Sequence, residues 1–150
     1  MHKKWMTSLA VAALLALSAA GSADDSEDYE DALRLAELGL PAAQNYLGLM
    51  YDIGQGVPQD YKAAVKWHSL AAEQGLADAQ TNLGVMYGKG DGVIQDNVYA
   101  HMWFNIAASS GDSENASKGR DFVAEIMTTA QIAEAQKLAR ECVRKEYKGC

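Results

Sequence analysis

Cysteine is scarce: the 150 residues hold two, Cys142 and Cys150, both among the last nine positions. Basic residues are a minority, 13 Lys+Arg against 20 Asp+Glu, for a formal net charge of −7. That balance argues against nucleic acid or an anionic lipid surface as partner, because a basic patch supplies most of the affinity there. The charge is uneven. Residues 24–40 carry seven acids and one arginine, whereas residues 128–150 carry five bases and three acids. Such polarity reads as a solvated face or as a means of orienting a partner. Long apolar runs are also missing. The stretch from Leu9 to Ala20 falls short of the ~20 residues that a membrane span needs, so no stable membrane anchor is expected.

Catalytic signatures are equally sparse. No G-x-S-x-G and no S-x-x-K occurs, so the nucleophile of neither hydrolase class is marked. Gly84-x-x-x-Gly88-Lys89 is one residue short of a phosphate loop, and no Ser or Thr follows the lysine. Asp52, Asp91 and Asp96 lack the EF-hand spacing and its closing glutamate. His68 and His101 fit no metal signature. Catalytic residues, metal ligands and cofactors are therefore not expected.

Two things are present. The first is a leader: Lys3 and Lys4, the apolar run, then small residues up to Asp24. This is the layout of a secretory signal peptide over residues 1–23, with cleavage after Ala20 or Ala23. Its loss would leave 11 basic against 20 acidic residues, a formal charge of −9. Export to the periplasm or beyond the cell is the expected destination.

The second is a repeat. Residues 36–71 laid over 72–107 match at 18 of 36 positions without a gap, and "GQGVPQDYKAAVKW" returns as "GDGVIQDNVYAHMW". A fixed period of this size marks stacked supersecondary units. Ala43, Leu47, Met50 and Tyr51 fall on one helical face. Gly48 and Gly84 cost about 1 kcal/mol of helix propensity each, which close approach of a neighbouring helix would justify. Asp60 and Asp96 are placed as N-caps of a second helix. That helix has Ala64, Trp67, His68 and Ala71 on its inner face, with Gly75 or Gly111 as its C′ residue. The repeated phrase is the turn between two antiparallel helices, where Gly54 and Gly56 supply the backbone angles.

The pattern Ala-x-x-x-Leu-Gly-x-x-Tyr, Gly-x-Gly-Val-x-x-Asp, Ala-x-x-Trp, Ala-Ala-x-x-Gly over residues 36–111 closely resembles the Sel1-like repeat, a relative of the tetratricopeptide repeat. The resemblance implies an all-α solenoid of antiparallel helix pairs. Its divisions would be a leading half-repeat at 24–38, repeats at 39–74 and 75–110, and a degenerate closing repeat at 111–150. Asp28 and Asp31 stand where the repeats have Ala64 and Trp67. Gly119-Arg120 stands where they have Leu47-Gly48, and Thr128 to Gln131 offers a capping box for a last helix. Seven helices are expected: a leading half, two standard pairs and a closing pair.

The resemblance also implies non-enzymatic binding of a protein or peptide on a concave face lined by the first helix of each unit. Tetratricopeptide positions map there to Ala42, Asn45, Leu49, Asp52 and Ile53 in the first unit. Asp78, Thr81, Val85, Gly88 and Lys89 match them in the second, and Glu114, Ser117, Asp121, Ala124 and Glu125 in the third. Carboxylates mixed with aliphatics suit a monomeric protein whose partner segment carries basic and apolar side chains. An adaptor of the bacterial envelope, modulating a complex or signalling, is the leading expectation. The alternatives are a hydrolase of cell-wall-like or β-lactam substrates, and a secreted binder of glycan or host protein. A cysteine-rich branch of the family is associated with β-lactam binding, but residues 36–111 contain no cysteine.

Cys142 and Cys150 can close a short loop in an oxidising compartment. A straight helix would hold them ~12 Å apart, too far for a bond, so pairing requires the helix to end first, and Gly149 allows the bend. Free thiols or intermolecular pairing are the alternative.

Overall fold

The computed structural model describes residues 23–110 and 114–150. The expected leader lies outside the described residues apart from Ala23, and so does the expected C′ residue Gly111. Seven helices and no strand occur among the described residues: α1 (Ala23–Glu37), α2 (Pro41–Ile53), α3 (Tyr61–Ala72), α4 (Ala77–Lys89), α5 (Asn97–Ser109), α6 (Glu114–Ala124) and α7 (Thr129–Arg144). None is long and apolar enough to cross a membrane. The fold is all-α, as the sequence implies.

Each boundary has a local cause. Asp60 caps α3 by accepting from the Ala63 amide at 3.0 Å, and Asp96 caps α5 by accepting from Val98 and Tyr99 at 2.9 and 3.1 Å. Both satisfy amides that a helix start leaves unpaired. Thr128 and Gln131 form the reciprocal capping box of α7. In the two turns, the amides of Asp60 and Asp96 donate to Tyr51 and Tyr87 oxygens at 2.9 Å. Gly56 and Gly92 sit at φ +71° and +70°. A Cβ there would strike the backbone of Asp25 or Tyr61, at the start of the preceding unit's helix. These glycines are therefore required by both conformation and stacking.

Consecutive helices pack from α1 through α6. The units are tied by one repeated hydrogen bond: Gln44 Nε2 donates to Ala36 O and Gln80 Nε2 to Ala72 O, each at 3.2 Å. Small buried residues let the helices approach. Ala32, Ala36, Leu47 and Met50 form the core at the α1 end. Ala71, Ala79, Leu83, Met102, Trp103, Ile106 and Ala139 form the central one.

The last two helices depart from the expected closing pair. Instead of folding back along α6, α7 packs against α5, while α6 packs on α5 and α4. Ala139 and Cys142 of α7 bury themselves beside Met102, Trp103 and Ile106 of α5. Beyond Arg144 the chain turns through left-handed Glu146, Tyr147 and Gly149, and Cys150 bonds back to Cys142 with their Cα atoms 5.6 Å apart. Tyr147 and Cys150 pack on the central core.

Candidate functional site

The helices α2, α4 and α6 present the side chains mapped to the binding face, and α3 and α5 form the floor beneath them. Over α3 that floor is polar and closed. A Cβ on Gly48 would lie 2.7 Å from the His68 ring. The ring is fully buried, and Asn45 Oδ1 lies 2.8 Å from its Nδ1. The same oxygen accepts from Asn82 Nδ2 at 3.0 Å, linking α2, α3 and α4. A carbonyl oxygen can only accept, so His68 carries its proton on Nδ1. Burial pushes the imidazole down to about 4, and it stays neutral at ordinary pH.

Over α5 the floor is apolar and open. Phe104 replaces His68, and both Gly84 and Gly119 approach its ring. The cavity here is about 400 Å³, lined by Val85, Gly88, Phe104, Phe122, Val123 and Ile126, with Lys89 and Lys118 also on its wall. Phe122 is 69% and Ile126 64% exposed. Phe122 stands 36 residues after Met86, which is buried. Val123, the next residue, is the one that α6 buries at this turn. Large apolar side chains around a concave site mark a place where binding recovers the cost of their exposure.

The mapped residues separate into groups. Val85 and Lys89 line the apolar cavity. Asn45 is engaged in the His68 contact, and Thr81 Oγ1 donates to Ala77 O at 3.0 Å within its own helix. Leu49 and Asp52 are half-buried, and the Asp52 carbonyl accepts from Gln59 Nε2 at 2.6 Å. Ile53, Asp78 and Glu125 are exposed. Asp121 pairs with Arg120 at 2.9 Å, and Lys118 pairs with Glu114 at 2.6 Å. The charged side chains on the wall of the apolar cavity are Lys89 and Lys118, the latter held by Glu114. Phe122, Ile126 and Lys118 escaped the sequence reading. Phe122 aligns with Met86 by the 36-residue period, but the burial of Val123 sets it with exposed Val85 instead. No group of three or more His, Cys, Asp or Glu among the described residues is placed to hold a metal ion.

A family model described as Sel1 repeat matches residues 41–76 and 77–112. These frames lie two residues from the expected 39–74 and 75–110. The chitin synthase regulator SKT5 of Saccharomyces cerevisiae is 41% identical over 59 residues, which is 39% of this chain and 8% of that protein. A protective antigen present in uropathogenic Escherichia coli strains, displaying an SLR fold, superposes with a TM-score of 0.76 at 32% identity. That match covers 79% of this chain and 26% of the antigen's. A Sel1 repeat protein from Oxalobacter formigenes gives 0.55 at 40% identity, over 55% of this chain and 63% of its own. The chain spans only a fraction of each. Sel1 repeats typically serve protein–protein interaction, and this chain carries two of them, at residues 41–76 and 77–112.

Proposed function

We propose that this protein is an exported, non-enzymatic interaction module that holds a segment of another protein along α2, α4 and α6. The observation that carries the reading is the open apolar cavity between α4 and α6, with Phe122 and Ile126 exposed at its edge. An apolar side chain of the partner enters over Phe104, with a carboxylate facing Lys89. Basic side chains farther along face Asp52 and Asp78. Charges placed this way set register and association rate more than affinity, and the apolar anchor supplies most of the binding energy. Leader, acidic charge and the Cys142–Cys150 bond suit an envelope compartment. The yeast relative is by name a regulator, which favours a role in modulating a complex.

The test is in-cell crosslinking of the tagged protein followed by mass spectrometry, beside Phe122→Ser and Asp52→Lys/Asp78→Lys. The proposal expects one dominant partner, lost in Phe122→Ser and weakened by the double reversal. Equal capture by all three proteins overturns the groove. Turnover of a chromogenic β-lactam that survives dialysis and chelation overturns the non-enzymatic reading.

A further inference from the structure

The walls of the α4/α6 cavity are helices whose backbone groups are already paired. Inside a helix each N–H and C=O bonds along the helix's own axis. The last carbonyls of α4, which a helix leaves free, are taken as well. Met86 O accepts from the Gly90 and Asp91 amides, Tyr87 O from Asp96, and Gly88 O from Gln95 Nε2 at 3.1 Å. At the end of α6, the oxygens of Asp121, Val123 and Ala124 accept from Glu125, Ile126 and Met127. The polar side chains on the wall are Lys89, Asn97 and Lys118, the last held by Glu114. The cavity therefore offers an incoming chain apolar surface but no row of backbone partners.

That limits the conformation of the occupant. An extended segment laid here would press unpaired N–H and C=O groups against apolar walls, which is costly. A helix pairs its own backbone and offers apolar side chains at i, i+3, i+4 and i+7. The rim suits it. Phe122 and Ile126 stand four residues apart at the end of α6, both exposed, and Val85 is exposed on α4. On the α4 side Gly88 leaves the wall bare, since a Cβ there would meet only Ala100, at 3.8 Å. The first unit has Asp52 at this place. Lys89 follows, and none of the ion pairs among the described residues, Arg34–Asp31, Lys118–Glu114 and Arg120–Asp121, involves it.

We infer that the partner segment bound over α4 and α6 is an amphipathic helix bearing an acidic residue. Its aliphatic side chains, one turn apart, pack among Val85, Phe122 and Ile126. Its backbone comes close to Gly88, and its carboxylate reaches Lys89. This names the kind of partner for the function proposed above and rests on that reading.

Fluorescence anisotropy with two labelled synthetic peptides of identical composition, each with four leucines and one glutamate, tests this on the whole chain. One places leucine at i, i+3, i+4 and i+7, and the other at alternate positions. The helical register is expected to bind about tenfold or more tightly than the alternating one, because only it brings its own backbone pairing. Gly88→Leu fills the bare wall and should weaken the helical peptide by about tenfold or more, with unchanged helical circular dichroism. Lys89→Glu should weaken it most at low salt, where repulsion is least screened. Equal affinity for the two registers, no saturable binding of the helical peptide, or full affinity in Gly88→Leu overturns the inference. If any of these occurs while in-cell capture is still lost in Phe122→Ser, the interaction reading stands and only the helix is removed. Equal capture by Phe122→Ser overturns both.

Discussion

The ring of Phe104 lies so close to Gly84 that a Cβ there would stand 2.7 Å from its Cδ1. On the other side, a Cβ at Gly119 would come 2.6 Å from Cε1. The ring is clamped and cannot retreat. Gly84→Ala therefore overpacks, at the upper end of about 1–3 kcal/mol, against ~1 kcal/mol of regained helix propensity. The expected net loss is about 1–2 kcal/mol in urea unfolding. Gly88→Ala is the control on the same helix. Its Cβ would meet Ala100 at 3.8 Å, an ordinary contact, and a gain of up to ~1 kcal/mol is expected. Equal midpoints for the two variants would disprove close approach as the reason for Gly84.

His68 fills the equivalent place one unit earlier and makes stability depend on pH. Its imidazole protonates near 6.5 when unfolded, but burial holds it at about 4 in the fold. Between those values the unfolded chain binds more protons, so stability falls as the pH is lowered through that window and levels off below it. The full effect is about 3 kcal/mol. His68→Phe, the residue of the second unit, should flatten this part of the profile. His101, also pushed down by burial first of all, remains in both proteins and cancels. Unfolding at pH 7 and pH 5 checks the prediction. Identical losses in both proteins would show that burial does not shift the titration of His68.

Much of this was legible in the residues. The 36-residue period carries the units, since Asp60, Asp96 and the turn glycines act locally and do the same work in each copy. The end of α7 before Cys150 also follows from local geometry. The course of α7 does not. Its apolar residues specify a buried stripe but not the helix that will cover it, and no third copy of the repeat supplies a template. The binding face was mapped by period alone, which does not show which side chains bond within the protein. Asn45 and Thr81 hold the mapped positions yet bond within the protein. Phe122, aligned with Met86 by the 36-residue period, is exposed while Val123 beside it is buried.

The bond between Cys142 and Cys150 closes a loop of eight residues' separation and pins Tyr147 and Cys150 to the core. Loop-closure entropy for so short a ring gives about 2–3 kcal/mol. Cys142→Ser/Cys150→Ser should lower stability by about that amount, and a reducing agent should lower the wild-type midpoint to match. Calorimetry with and without reductant reads this. Because the hook touches α3, α4 and α5 but not the α4/α6 cavity, partner capture should be unchanged in the folded double variant.

The cavity itself separates binding from folding. Phe122 is exposed, so Phe122→Ser should change stability by no more than about 0.5 kcal/mol. A central aromatic anchor is worth about 2 kcal/mol or more in a complex, so the same variant should weaken partner binding by about thirtyfold. Phe104→Ser, two helices' contact away but 4% exposed, should do the reverse. It unfolds the α4–α5–α6 packing at a cost of several kcal/mol, comparable with Phe-to-Ala changes in cores. Lys89→Glu tests the charge independently. It should slow association and reverse the salt dependence of a carboxylate-bearing partner, while leaving the dissociation rate nearly unchanged. Surface plasmon resonance with the crosslinked partner at two salt concentrations, beside urea unfolding of each variant, reads all three. Loss of binding only in proportion to lost stability would show that Phe122 is ordinary surface.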